Sequence, residues 1–331
     1  MMVTRWMLCL LGLMLLLAVV VLASLSLGIA GIPVTKLVSI FLHGRGSTEY
    51  SIVFDIRLPR ILLGMAIGGS LSLAGVILQG MFRNPLVEPY TLGISGGAAL
   101  GVSLNIVLGS AAAGRFTFPV CGSLGAGAVI VFLYFSSVRK SMVKLQGLLL
   151  NGVMISFIAS ALVMLLMSLS STETLHGIVF WVMGSLGEPD IALITLMLGM
   201  SVVLLAVAYF FCHHLNALAL GEDEARHLGI PVERTKKVLF IVSAVLTGFC
   251  VSVAGMIGFV GLVVPHFMRR IVGHDHRILL GASFLAGAIF LIFCDTLARL
   301  MIAPSELPVG VITGIAGGSV FMYALSRGEV R

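Results

Sequence analysis

The chain has 331 residues, of which 59% are hydrophobic and only 10% are charged. A soluble domain carries about 25% charged residues, so a soluble globular protein is excluded and an all-α integral membrane protein surrounded by lipid is expected. The formal charge of +6 is read as Lys and Arg retained on the cytoplasmic side of a membrane, with no nucleic-acid partner.

About 20 apolar residues cross a bilayer as a helix. The run from just after Arg5 to Leu27 is long enough to span, and no small-x-small cleavage site follows it closely. It reads as an uncleaved first helix. The further predicted spans are 58–82, 91–109, 118–137, 146–168, 191–211, 238–257, 259–270, 278–300 and 308–326, with 6–28 the first. That is about ten transmembrane helices in one domain, 1–331.

Val238 to Met268 is too long for one helix and too short for two full ones. Gly255, Gly258 and Gly261 punctuate it and Pro265 follows, which predicts one full helix and one short, broken one. Interrupted helices persist in membranes only where their freed backbone groups face protein or a water-filled path. Counting both segments leaves only Lys36, Arg45, Arg57, Arg60, Arg115 and Arg299 of the 20 Lys and Arg on the outer side. This charge asymmetry places both termini in the cytoplasm.

Several motifs stand out along this frame. Arg57-Leu58-Pro59-Arg60 opens the second span on the outer side, with Pro in the first turn. Ser72-Leu73-Ala74-Gly75, followed by Pro85, is echoed by Ser252-Val253-Ala254-Gly255, followed by Pro265. The two segments run in opposite directions, as in an inverted internal repeat. Arg83-Asn84-Pro85-Leu86-Val87-Glu88-Pro89 is a helix-breaking inner loop. Asp295 and Arg299, four apart with the acid first, are expected to pair across one helix turn.

The most polar stretch is Leu218 to Ile230. Glu222, Asp223, Glu224 and Arg226 cannot lie in hydrocarbon. Gly221 precedes an acidic first turn, and Gly229 and Pro231 are stop signals. Residues 216–230 therefore read as short helices around a turn, standing in the cytoplasm. The chain has no Walker-type phosphate loop, HExxH pair or serine or cysteine catalytic constellation. The five cysteines, Cys9, Cys121, Cys212, Cys250 and Cys294, are scattered and read as free thiols. No catalytic residue, metal site or bound cofactor is expected.

These motifs together resemble the permease subunits of ATP-binding-cassette importers for iron chelates, haem and vitamin B12. The matching residues are Arg57-Leu58-Pro59-Arg60; Gln79 with Arg83-Asn84-Pro85-Leu86 and Pro89; Leu92 to Ala98; Leu218 to Glu222 with Ala225-Arg226 and Leu228-Gly229; Gly258 to His266; and Glu306 to Gly310 with Gly317-Gly318.

The resemblance implies a non-catalytic subunit in the cytoplasmic membrane of a prokaryote, paired with a second copy or a close paralogue. Two cytoplasmic ATPase subunits, which bind the ATP and Mg, would dock on Leu218, Ala219, Leu220, Gly221, Glu222, Ala225, Arg226, Leu228 and Gly229. A periplasmic or lipid-anchored binding protein would be held outside by Arg57, Arg60 and Arg299. Asn151 would line the path, with an inner gate at Lys144, Gln146 and Gly147. A ferric siderophore is the favoured cargo and haem or cobalamin the alternative. His176, expected in an outer loop, is a possible haem contact. An ion-coupled secondary carrier is the remote alternative, opposed by the few acidic groups at membrane depth.

Overall fold

The computed structural model describes residues 2–28, 30–43, 46–109, 116–139, 142–143, 145–187, 190–302 and 305–327. The helices in chain order are α1 (Met2–Ser26), α2 (Val34–His43), α3 (Thr48–Ser51), which runs through a π-helical turn (Ile52–Arg57) into α4 (Leu58–Phe82), a 3-10 turn (Pro89–Leu92), α5 (Ile94–Val107), α6 (Thr117–Ser137), α7 (Leu145–Leu169), α8 (Thr172–Val182), α9 (Ile191–Phe210), α10 (Cys212–Leu220), α11 (Glu222–His227), α12 (Val232–Ala254), α13 (Val260–Val272), α14 (His276–Met301) and α15 (Val309–Ser326). A two-residue antiparallel pair, Val138–Arg139 with Met142–Val143, joins α6 to α7.

Eight helices among the described residues are long and apolar enough to cross a membrane: α1, the α3–α4 unit, α6, α7, α9, α12, α14 and α15. The shorter α5 and α13 occupy the two remaining expected spans. Outward faces of α1, α7 and α9 carry exposed Leu15, Phe157, Met164 and Phe210, the apolar surface that lipid or a second membrane subunit requires.

The bundle is organised around α4, whose residues from Pro59 to Met81 are buried almost without exception. Burying a helix on all sides needs small residues where backbones approach closely. Gly68 faces Gly287 of α14, and a Cβ on either would strike the other's carbonyl oxygen. Gly97 of α5 and Gly125 of α6 are held in the same way, and a Cβ on Gly75 would strike the Gly261 carbonyl of α13.

The helix break falls where the glycines place it. α12 ends at Ala254, Gly255 turns at φ 71°, and α13 restarts at Val260 after Phe259 at φ 68°. The freed backbone groups are met inside the protein, as the membrane demands. Ser185 N–H donates to the Ala254 carbonyl at 2.8 Å. Ile257 N–H donates to the Tyr90 hydroxyl at 2.9 Å, and Phe259 N–H to the Glu88 carboxylate at 2.8 Å. The echoed motifs occupy different settings: Gly75 lies within unbroken α4, whereas Gly255 caps α12.

Two boundaries differ from the sequence reading. α12 begins at Val232 rather than 238, because its charged first turn is held by ion pairs outside the apolar span. Residues 172–182, expected as an outer loop around His176, form α8 behind a Ser171 cap whose hydroxyl accepts the Thr174 N–H. His176 is exposed on that helix.

Candidate functional site

The charged island folds as two short helices, α10 and α11, meeting at Gly221. Its φ of 148° and ψ of 156° reverse the chain in a conformation open to glycine. Gly229, at φ 80°, ends the knob before Pro231. Leu215, Leu218 and Ala225 are buried beneath it, while Leu220 and Leu228 are 66% and 63% exposed. Ala219, Arg226 and Gly229 are also exposed, and Glu222 is half-buried. The knob thus offers an apolar tip ringed by charge.

Three ties fix the knob to the bundle. Lys236 of α12, 2% exposed, places its ammonium 3.0 Å from Glu222 and 2.9 Å from Glu233. Arg226 bridges Glu222, Asp223 and Glu233 at 3.7, 3.1 and 3.5 Å. Asn216 of α10 donates to Asp275 at 2.9 Å and accepts from the His276 N–H at 2.9 Å. Asp275 also caps α14 by accepting the Arg277 N–H. The Arg277 guanidinium bonded to it holds the Asp275 carboxyl well below the usual carboxylate range. The sequence reading missed Lys236, although Glu233 and Lys236 at i,i+3 were a legible signal.

At the opposite end, Arg57, Arg60 and Arg299 are 4%, 8% and 8% exposed. The three arginines expected at an outer rim are each engaged within the chain. Arg57 binds the Leu25 carbonyl, and also those of Ser26 at 3.2 Å and Ala30 at 2.6 Å, closing the C-terminal end of α1. Arg60 pairs with Asp295 at 2.8 Å and with half-exposed Glu306 at 2.6 Å. Arg299 pairs with Asp295 at 3.1 Å, as the i,i+4 spacing predicts, and donates to the Ser24 hydroxyl at 2.7 Å. Glu306 is the half-exposed edge of this buried network.

Gln79 solves a local problem set by Pro265. Proline has no N–H to bond the carbonyl four residues back, which leaves the Gly261 oxygen without its helical donor. Gln79 Nε2 donates to that oxygen at 3.1 Å, and Gln79 Oε1 accepts from the Arg269 guanidinium. Of the expected path residues, Asn151 donates to Ser136 of α6 at 3.2 Å. Gln146 is exposed and Gly147 half-buried at the start of α7. Lys144 lies outside the described residues.

The comparisons agree with this architecture. A solved inward-facing ABC transporter, described as of metal-chelate type, superposes with a TM-score of 0.85 and 31% identity, covering 97% of this chain and 99% of that one. The hemin transport system permease protein HmuU of Yersinia pestis is 40% identical over 288 residues, 84% of each chain. The vitamin B12 import system permease protein BtuC of Klebsiella pneumoniae is 38% identical over 330 residues, 99% of this chain and 95% of that protein. The model of the FecCD transport family matches residues 16–327. Broken helices, a glycine-packed bundle and this nearly end-to-end match lead to one conclusion: the chain belongs to the FecCD transport family and is the permease of a type II ABC importer.

Proposed function

We propose that this permease carries an intact metal chelate, with a ferric siderophore as the favoured cargo, inward across the cytoplasmic membrane of a prokaryote. The observation that carries the coupling role is the knob itself, with two apolar side chains exposed at its tip and a base tied to both α12 and α14. Two ATPase subunits, which bind the ATP and Mg, would grip Leu220 and Leu228 and move α12 through Lys236. A second copy of the chain, or a close paralogue, would face the apolar side of α7 and complete a path past Asn151, with the gate near Lys144, Gln146 and Gly147. The chain itself would hold no cofactor and perform no chemistry. The knob end, rich in Lys and Arg, would lie in the cytoplasm with both termini.

A binding protein would deliver cargo at the Arg60 end. The buried partners of Arg57 and Arg299 direct this role to the exposed edge of the network, where an incoming carboxylate would replace Glu306 on Arg60. Haem or cobalamin is the second reading, favoured by the kinship with the hemin and vitamin B12 permeases. Competition between a ferric siderophore, haem and cobalamin for the cognate binding protein, followed by ATP-dependent uptake in proteoliposomes, tests both. Uptake of a labelled ferric siderophore supports the first reading, haem or cobalamin uptake the second, and uptake without any ATPase overturns the coupling role.

A further inference from the structure

A cavity of about 360 Å³ lies beside the knob, between the ends of α4, α10, α13 and α14. Its charged and titratable lining consists of Arg83, Arg269, Arg270, His266, His274 and His276, and no carboxylate is among the lining residues. Two of these groups are poorly provided for by the chain. The Arg269 guanidinium, bonded to the neutral amide of Gln79, makes no ion pair among the described residues. His276 is 3% exposed, and its Nδ1 lies 2.7 Å from Asn216. Its Nε2 is buried without a hydrogen-bond partner and faces Gly80 of α4. A partly buried cation without an ion-pair partner costs free energy, so Arg269 and the convergent guanidiniums around an open volume fit an anion.

We propose that this cavity binds a phosphate group. Arginine forks match phosphate oxygens in bidentate geometry, and Arg83, Arg269 and Arg270 all line the volume. The volume leaves room for an organic substituent. Two sources share this chemistry: the phosphodiester of an anionic lipid headgroup, which basic pockets between membrane helices at a cytoplasmic face recognise, and free inorganic phosphate. Because Ala219 of α10 and Arg83 at the end of α4 both line the volume, an occupant would brace the knob against α4 and α13.

The test uses the full chain in detergent, with thermal unfolding followed by the fluorescence of Trp6 and Trp181. One arm titrates inorganic phosphate against chloride at equal ionic strength. The other titrates short-chain phosphatidylglycerol against phosphatidylcholine of the same chain length, whose phosphate is neutralised by its own choline. A ligand that binds only the folded state raises the midpoint saturably. Loss of one charge-assisted contact through Arg83→Gln is expected to weaken binding about tenfold, and Arg83→Lys to restore part of it. A shift with phosphatidylglycerol alone assigns the lipid, a shift with phosphate alone assigns the free ion, and both support the site. If neither ligand exceeds its control, or if the doubly substituted Arg83→Gln/Arg270→Gln protein responds like the parent, the proposal is overturned. Both substitutions are at exposed positions, so the comparison does not depend on disturbing the half-buried Arg269.

Discussion

Lys236 Nζ lies 3.0 Å from Glu222 Oε2, so one buried ammonium fastens the first turn of α11 to α12. The same ammonium holds Glu233 at 2.9 Å. Lys236→Met leaves Glu222 and Glu233 with the more distant Arg226 and should loosen the knob by about 1–3 kcal/mol. The expected result is normal membrane insertion, weaker ATPase co-purification and lower uptake, with part of each regained in Lys236→Arg, which keeps the charge. Unchanged uptake in Lys236→Met would show that this tie transmits nothing.

Asp295 is shared by two buried guanidiniums, those of Arg60 and Arg299. Asp295→Ala leaves one with only Glu306 and the other with only hydroxyl partners, at a cost of about 3–5 kcal/mol. Thermal unfolding in detergent should show a large drop. A protein of parental stability that had lost only transport would instead point to an ion-carrying acid.

Gln79→Leu removes the donor to the Gly261 carbonyl and the acceptor for Arg269, an expected loss of about 1–3 kcal/mol. Pro265→Ala restores a backbone N–H at the position that normally bonds Gly261. The double variant should therefore recover part of the loss, read as a positive coupling in a double-mutant cycle. Strict additivity of the two changes would break the link between Gln79 and the proline.

Gly68 and Gly287 touch backbone to backbone, whereas a Cβ on Gly281 of the same helix meets nothing within 4 Å. Gly68→Ala and Gly287→Ala should each cost about 1–3 kcal/mol through overpacking. Gly281→Ala should be neutral or stabilising by up to about 1 kcal/mol, because alanine favours the helix. Equal unfolding midpoints for all three proteins would contradict the close contact of α4 with α14.

Asp275 gives a pH dependence of defined sign. Its carboxyl is held below the ordinary range by Arg277, so its contribution is fully present above the unfolded value of about 3.9. That contribution is lost as pH falls through the depressed folded value. Asp275→Asn should lower the unfolding midpoint at pH 7 and narrow the gap to the parent as the medium is acidified below pH of about 4. A gap that stays constant on acidification would exclude this linkage.

Much of the architecture was legible in the chain. Spans follow from local hydropathy, and the break before α13 from Gly255 and Pro265. The knob follows from charges that hydrocarbon cannot hold, bounded by Gly221 and Gly229. Helix α8 escaped because its exposed His176 and polar first turn interrupt the apolar run. The role of Gln79 escaped for a different reason: the carbonyl it satisfies belongs to a residue 182 positions away.

Sequence alone determined which segments are long and apolar enough to cross a membrane, where the charged knob interrupts them and which family pattern they follow, because hydropathy and helix termination act on neighbouring residues. Only the tertiary structure decided that Arg57 closes α1, that Arg60 meets Asp295 across 235 positions, and that basic groups at the ends of α4, α13 and α14 converge on one cavity. Ion pairing in a bundle is set by which helix faces meet, and those faces are chosen by the glycine contacts of α4 with α13 and α14.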